Sequence, residues 1–203
     1  MGCDIHLYCE QKYKDDWYSA DNYRINASYG EYDLEPKLEV VHLYDGRDYI
    51  LFSILADVRN YSNNDYISKP KGIPNDISEG VKKELEKWHG DSHSHSYFTA
   101  KELFEWLKTH NTTKYSGMIS AEDVKKLDED NILPTSWCQW TNIIGYEYRE
   151  WVEEKSHLEY LVDKIKERMT ECFNIYSFYS DDKKEELINS YAENFRIVFW
   201  FDN

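Results

Sequence analysis

Apolar and polar residues alternate through the opening segment CDIHLYCE. Ile5, Leu7 and Cys9 fall on one side of an extended chain, and Asp4, His6, Tyr8 and Glu10 on the other. This predicts a strand over 3–10 with one face for a core and one polar, titratable face. Further strands are expected over 17–24 and 38–44, the latter closed by the Asp45-Gly46 turn signal. From Asp48 the period lengthens. Leu51, Ile54, Leu55 and Val58 recur at helical spacing, which predicts a short buried helix capped by Asp48. Residues 60–76 hold two Pro, one Gly and four Asn and read as a long loop, a length that compact domains tend to reserve for function.

A surface helix is expected over 77–88. Thr99 and Glu102 form a capping box, with Phe98 placed to staple against Leu103, and Ser120 with Asp123 repeats the signal more weakly. A long helix is predicted from 146 to 173, carrying Trp151, Leu158, Val162, Ile165, Met169 and Cys172 on one stripe, and another over 183–194. The closing RIVFWFDN has an unbroken apolar run, as expected of a central strand buried on both faces. Strands at both ends and helices between them predict an α+β fold. Its sheet, small and mixed or antiparallel, would hold the N- and C-terminal strands as neighbours, with a helical lobe. One domain over 1–203 is expected, with 110–195 a mainly helical insertion packed on that sheet.

Composition narrows the function. Against 39 Asp+Glu stand 24 Lys+Arg, a net charge of -15, which argues against broad nucleic-acid binding through displaced counterions. An acidic surface that imitates nucleic acid remains compatible with it. Aromatic residues at 16% exclude a wholly disordered chain. No stretch approaches the ~18 apolar residues of a membrane span, and the start lacks the basic and apolar regions of a secretory signal, so a cytoplasmic protein without membrane partners is expected. Cys3, Cys9, Cys138 and Cys172 show no C-x-x-C spacing and read as reduced thiols. Met1-Gly2-Cys3 suggests lipidation, but that motif wants Ser or Thr where His6 stands.

Histidine placement is the strongest chemical signal. Three of the seven His lie in 89–95, within WHGDSHSHS, and His6 stands beside Asp4. In an extended segment His93 and His95, two apart, point the same way. Neutral imidazoles and carboxylates held convergently bind divalent metals. If the two segments meet, Asp4, His6, Glu10, Asp91, His93 and His95 would hold one or two Mn, Mg or Zn ions and activate a water. The plainer reading is a solvated strand face and a Ser-rich loop bonding its own backbone. A second set is basic: Arg47, Arg59, Lys69 and Lys71 lie around the turn, the short helix and the PKGIP loop, where they would bind phosphate or pair with surface carboxylates. Tyr44, Tyr49, Tyr61, Tyr66 and Tyr97 lie close to these segments and are candidates to stack on a base, and Tyr8 and Tyr97 are candidate ligand-binding residues. Sequence signatures of P-loop, dinucleotide-binding, zincin and α/β-hydrolase proteins are missing.

The segments MGCDIHLYCE, DGRDYILFSILADVRN, SKPKGIPNDIS, GDSHSHSYFTAKEL and RIVFWFDN together resemble a family of bacteriophage and large-DNA-virus proteins that begin MGCDIH. The resemblance covers 1–10, 45–78, 90–104 and 196–203; the 110–195 region has no counterpart in it. It implies a viral protein working in the host cytoplasm, and it brings no settled activity and no catalytic residues.

These readings lead to a metal-assisted phosphoesterase acting on a small nucleotide or cyclic nucleotide signal, a hydrolase of host defence evasion. The imidazoles and Asp4 would hold the metal, Glu10, His93 or His95 would serve in proton transfer, and Arg47 and Arg59 would neutralise developing charge. A nucleotide-binding sponge without turnover is the second reading. An acidic interaction protein that blocks a basic host enzyme is the third, and homo-oligomerisation is left open.

Overall fold

The structure, a computed structural model, describes residues 2–30, 37–88 and 90–202. It is α+β, and its chain divides into two compact units. The first comprises Met1–Arg47, Pro70–Glu105 and Tyr160–Asn203; the second comprises Asp48–Lys69 and Trp106–Glu159. Among the described residues no helix is long and apolar enough to cross a membrane.

The first unit is built on strands β1 (Asp4–Tyr13), β2 (Asp16–Ser19), β3 (Asn22–Ile25) and β4 (Leu38–Val41), helix α2 (Glu79–Glu86), and strands β5 (His93–Thr99) and β8 (Phe195–Asp202). The order in its main sheet is β2-β1-β8-β5, every pair antiparallel, and β3 and β4 form a separate pair. The two chain ends are therefore neighbours, with Asp4 opposite Asp202 and Gln11 opposite Phe195. As its apolar run requires, β8 is central and buried on both faces. Phe195, Ile197, Phe199 and Phe201 on one side and Val198 and Trp200 on the other are fully buried. At roughly 1.5–3 kcal/mol for each such side chain, β8 is the element whose loss the fold tolerates least.

The alternation in β1 survives, but the inner part of its polar face is not solvated: Tyr8 and Glu10 are buried. That face lies under a second core in which Tyr8, Val198 and Trp200 meet Val40 and Val81, with Ile73, Ile77, Leu85, Trp88 and Tyr97 packed around them. Ser78 caps α2 through the Val81 N–H, and the predicted capping box forms at the join of β5 and α3 (Ala100–Leu107). There the Thr99 N–H donates to Glu102 at 2.7 Å and the Glu102 N–H donates back to Thr99 Oγ1 at 3.2 Å.

The second unit holds α1 (Tyr49–Ala56), the hairpin of β6 (Thr113–Ile119) with β7 (Glu147–Glu153), and α4 (Ala121–Asp130). Asp48 caps α1 as predicted, accepting from the N–H groups of Ile50 and Leu51. The part of the 60–76 loop that lies in this unit is anchored by Asn64, whose side chain bonds both the N–H and the C=O of Lys114.

One long helix was expected from 146 to 173, and the structure corrects this. EYREWVE forms β7, its Trp151 inward and Tyr148 and Val152 outward, and α5 (Leu158–Cys172) begins only after Ser156. Ser156 is the start signal: its Oγ accepts from the Leu158 N–H and its own N–H reaches Glu159. The 110–195 region is accordingly not one helical lobe. It contributes a hairpin and α4 to the second unit, and most of α5 together with α6 (Asp181–Tyr191) to the first.

Candidate functional site

The two histidine-bearing segments do reach one sheet, on either side of β8. His6 stands opposite Trp200 on β1, and the His95 ring lies 6.2 Å from the Trp200 ring on β5. Strands two apart are about 9.5 Å from one another, and here the intervening position holds the Trp200 indole. The His6 ring is packed 3.8 Å from Trp88 and 6.2 Å from Trp200. Burial lowers its pKa against the pull of Asp202, whose Oδ2 is 3.3 Å from Nε2. Burial, and then the nearby His93, likewise lower the pKa of His95, whose Nε2 shares a hydrogen bond with Ser92 Oγ at 3.1 Å.

His93 does not point with His95. Between His93 and Ser96 the register with β8 slips by one residue, and Ser94 takes a left-handed φ of 51°. The ring of His93 therefore meets Phe201, at 6.1 Å, rather than Trp200. Its Nδ1 is bonded to Ser94 Oγ, and its buried Nε2 has no partner. Asp91 lies exposed in the preceding turn, and His89 falls outside the described residues.

The carboxylates and cations offered by the sequence have mostly found one another. Arg47 grips Asp4 with two bonds, Nε to Oδ1 at 2.7 Å and Nη2 to Oδ2 at 2.6 Å, which holds the Asp4 carboxyl below its usual range. Glu10, expected as a base, is instead the fully buried counter-ion of Arg196 (2.6 Å) and accepts the Ser78 N–H at 2.6 Å. Arg196 also holds Asp76 at 2.7 Å and lies over the Trp17 ring at 4.0 Å. Lys71 bonds Glu102 at 3.1 Å with its ammonium over Phe98 and Tyr97. Tyr8 is buried in stacking on Trp200 at 4.9 Å, so its ring is not offered to a base, and Tyr97 is half-buried. Arg59, bonded to the Tyr61 hydroxyl, and the exposed Lys69 belong to the second unit. The expected ligand set thus does not converge on one ion. Among the described residues no three His, Cys, Asp or Glu side chains gather to hold a metal.

Three features escaped the sequence reading. In the second unit Tyr115, Asp48, His157 and Glu153 form a bonded chain: Asp48 Oδ2 to His157 Nδ1 at 2.5 Å, His157 Nε2 to the Tyr115 hydroxyl at 2.6 Å, and that hydroxyl to Glu153 at 2.9 Å. Tyr115 donates to Glu153, while which His157 nitrogen donates is set by its tautomer. Burial and Glu153 push the Tyr115 pKa up, so its hydroxyl stays a donor. In the first unit a concavity of about 550 Å³ is lined by Gln11, Lys12, Tyr13, Tyr18, Cys172 and Phe173, none of them a sequence candidate. The third feature is the segment after α4, WCQWTNIIGY, whose Trp140, Ile143 and Ile144 stand exposed. Its signal was present as an uncharged stretch rich in Trp and Ile with neither period, between an acidic helix and an acidic strand.

No protein family, characterised protein or solved structure matches this chain.

Proposed function

We propose that the protein works by association, as an acidic interaction protein that occupies a basic surface of a partner protein. The observation that carries this reading is the self-neutralisation of many of its cations. Arg47, Arg196, Lys71, Lys101, Lys114, Arg149 and Arg168 each hold a carboxylate of their own chain. Phosphate would have to displace those carboxylates, whereas the surplus of 39 acidic over 24 basic residues stays outward and attracts a cationic partner. The resemblance to MGCDIH-type viral proteins suggests a host enzyme as that partner. The phosphoesterase reading requires Asp4 and Glu10 to leave their arginines before either can act.

The concavity beside Tyr13 and Tyr18 favours a second reading, the nucleotide sponge. Its aromatic rings and Lys12 suit a base and one negative charge, and its volume is within the range of small-molecule sites.

One experiment separates the three. The protein is incubated with cyclic dinucleotides and adenine nucleotides, with Mn²⁺ or with chelator, and in parallel titrated with lysozyme and poly-arginine as cationic probes. Salt-sensitive association with both cationic probes, unchanged by His93→Ala and His95→Ala, is the expected result. Metal-dependent products would establish the phosphoesterase instead. Intact nucleotide released by heat, and lost in Tyr18→Ala, would establish the sponge.

A further inference from the structure

Charge states the sign of the partner surface and leaves its docking point open. Resting on the interaction reading, we infer that Trp140, Ile143 and Ile144 form the apolar centre of the interface, and that the partner is a protein presenting an apolar pocket ringed by Lys or Arg.

Trp140 is 77% exposed, Ile143 57%, and Ile144 wholly so. Single exposed apolar side chains are ordinary, but three within five residues, one of them Trp, have the composition of an interface anchor. The segment is pinned at both ends rather than loose. Cys138 exchanges backbone bonds with Met118 of β6 at 2.8 and 3.2 Å, and Trp137 packs against Tyr115 and Trp151 at 5.1 and 5.7 Å. At the far end the Tyr146 N–H bonds the Ile143 carbonyl at 3.3 Å, and β7 follows at once. The Ile143 N–H is taken by Thr141 Oγ1. A segment anchored in this way loses little freedom when a partner covers its apolar tips.

The neighbouring charges choose the occupant. Along the chain, helix α4 ends Asp128-Glu129-Asp130, the uncharged residues 131–136 lead to the segment, and Glu147 and Glu150 follow it. The cations of this region are engaged: Lys125 with Glu129, Lys126 with Glu122, and Arg149 with both Asp128 and Glu147. Those pairs take up Asp128, Glu129 and Glu147, yet residues 121–150 hold seven Asp+Glu against three Lys+Arg, so this stretch keeps a net negative charge that repels an anionic membrane, as it does a second copy of a chain carrying -15. A basic protein surface is attracted to it.

The test uses the full chain and the double variant Trp140→Ala/Ile144→Ser, with folding checked by circular dichroism and the unfolding midpoint. The probes are a fluorescent amphipathic peptide of Lys and Leu, and vesicles of phosphatidylcholine with and without phosphatidylserine. Sedimentation reads self-association. The full chain should bind the peptide, the double variant should bind it roughly tenfold or more weakly, and salt should weaken both. Salt-sensitive peptide binding that ignores the double substitution would overturn the assignment of this segment while leaving the interaction reading in place. No peptide binding by either protein would overturn the interaction reading itself. Vesicle binding lost in the double variant would make the segment a membrane contact. Self-association lost in that variant would make its occupant a second copy. Either result overturns the proposed partner.

Discussion

In the first unit Glu10 and Arg196 lie in the interior between two layers of side chains, whereas in the second Trp140 and Ile144 stand in water. Both placements run against the usual partition of residues. The buried pair is compensated at every point: the Glu10 carboxylate has Arg196 and the Ser78 N–H, and the guanidinium has Glu10, Asp76 and the Trp17 face. Nothing comparable compensates the exposed Trp and Ile. A violation answered within the molecule is a structural device, and one left unanswered points to something outside it. By that test His6 and His95 belong with the first kind, since they are packed on indoles and bonded within the chain, whereas the buried Nε2 of His93 is left unanswered.

The sharpest way to break this contrast is to remove one half of the buried pair. Arg196→Met leaves a fully buried carboxylate without its cation, and the expected loss is about 3–5 kcal/mol of stability. Adding Glu10→Leu removes the stranded charge, and the double variant should recover most of that loss. Denaturant unfolding read by circular dichroism checks both. A single variant as stable as the parent would show that the pair is not the device described.

A second buried carboxylate sharpens the comparison through pH. Burial pushes the Asp21 pKa up to about 7, against the pull of the Cys9 N–H bonded to its oxygens at 3.0 and 3.2 Å and of the Arg168 charge. The folded state therefore keeps a proton that the unfolded chain releases near 3.8. The stability linked to this group is fully present below that pH and is lost as the pH rises through about 7. The three-unit difference corresponds to at most about 4 kcal/mol. Asp4, Asp76 and Glu193, with lowered values, work in the opposite sense, so the parent profile is a difference of terms. Asp21→Asn should flatten the fall between pH 4 and 8 that belongs to this residue alone. Superimposable profiles for parent and variant would place the charged form in solvent contact.

Elements with strong local signals were legible in the sequence. The Asp48 cap, the Thr99–Glu102 box and the apolar run of β8 each carry their own explanation in a few residues, and all three formed. The missed division of 146–173 was also written there, as Ser156 and Glu159, but the apolar stripe of α5 extended by chance to Trp151 and hid the alternation of EYREWVE. The site was less legible because it depends on register. An i, i+2 pair faces one way only in a regular strand, and the extra residue at Ser94 that turns His93 toward Phe201 has no local signature beyond a common Ser. Ion pairing was hidden for a related reason: Arg47 with Asp4 and Arg196 with Glu10 join residues far apart in the chain, which no spacing rule reaches.

The smallest expected effect is the most informative about the second unit. Ile144 contributes no buried surface to the fold and Trp140 little, so Trp140→Ala and Ile144→Ser should each change stability by no more than about 0.5 kcal/mol. Trp151, four residues along the adjoining strand from Glu147 and buried against Tyr115, is the matched control: Trp151→Ala opens a cavity and should cost about 3–5 kcal/mol. Chemical unfolding of the three variants side by side decides it. If Trp140→Ala destabilises the chain as Trp151→Ala does, the indole is packed in solution, and the exposed segment is core rather than contact surface.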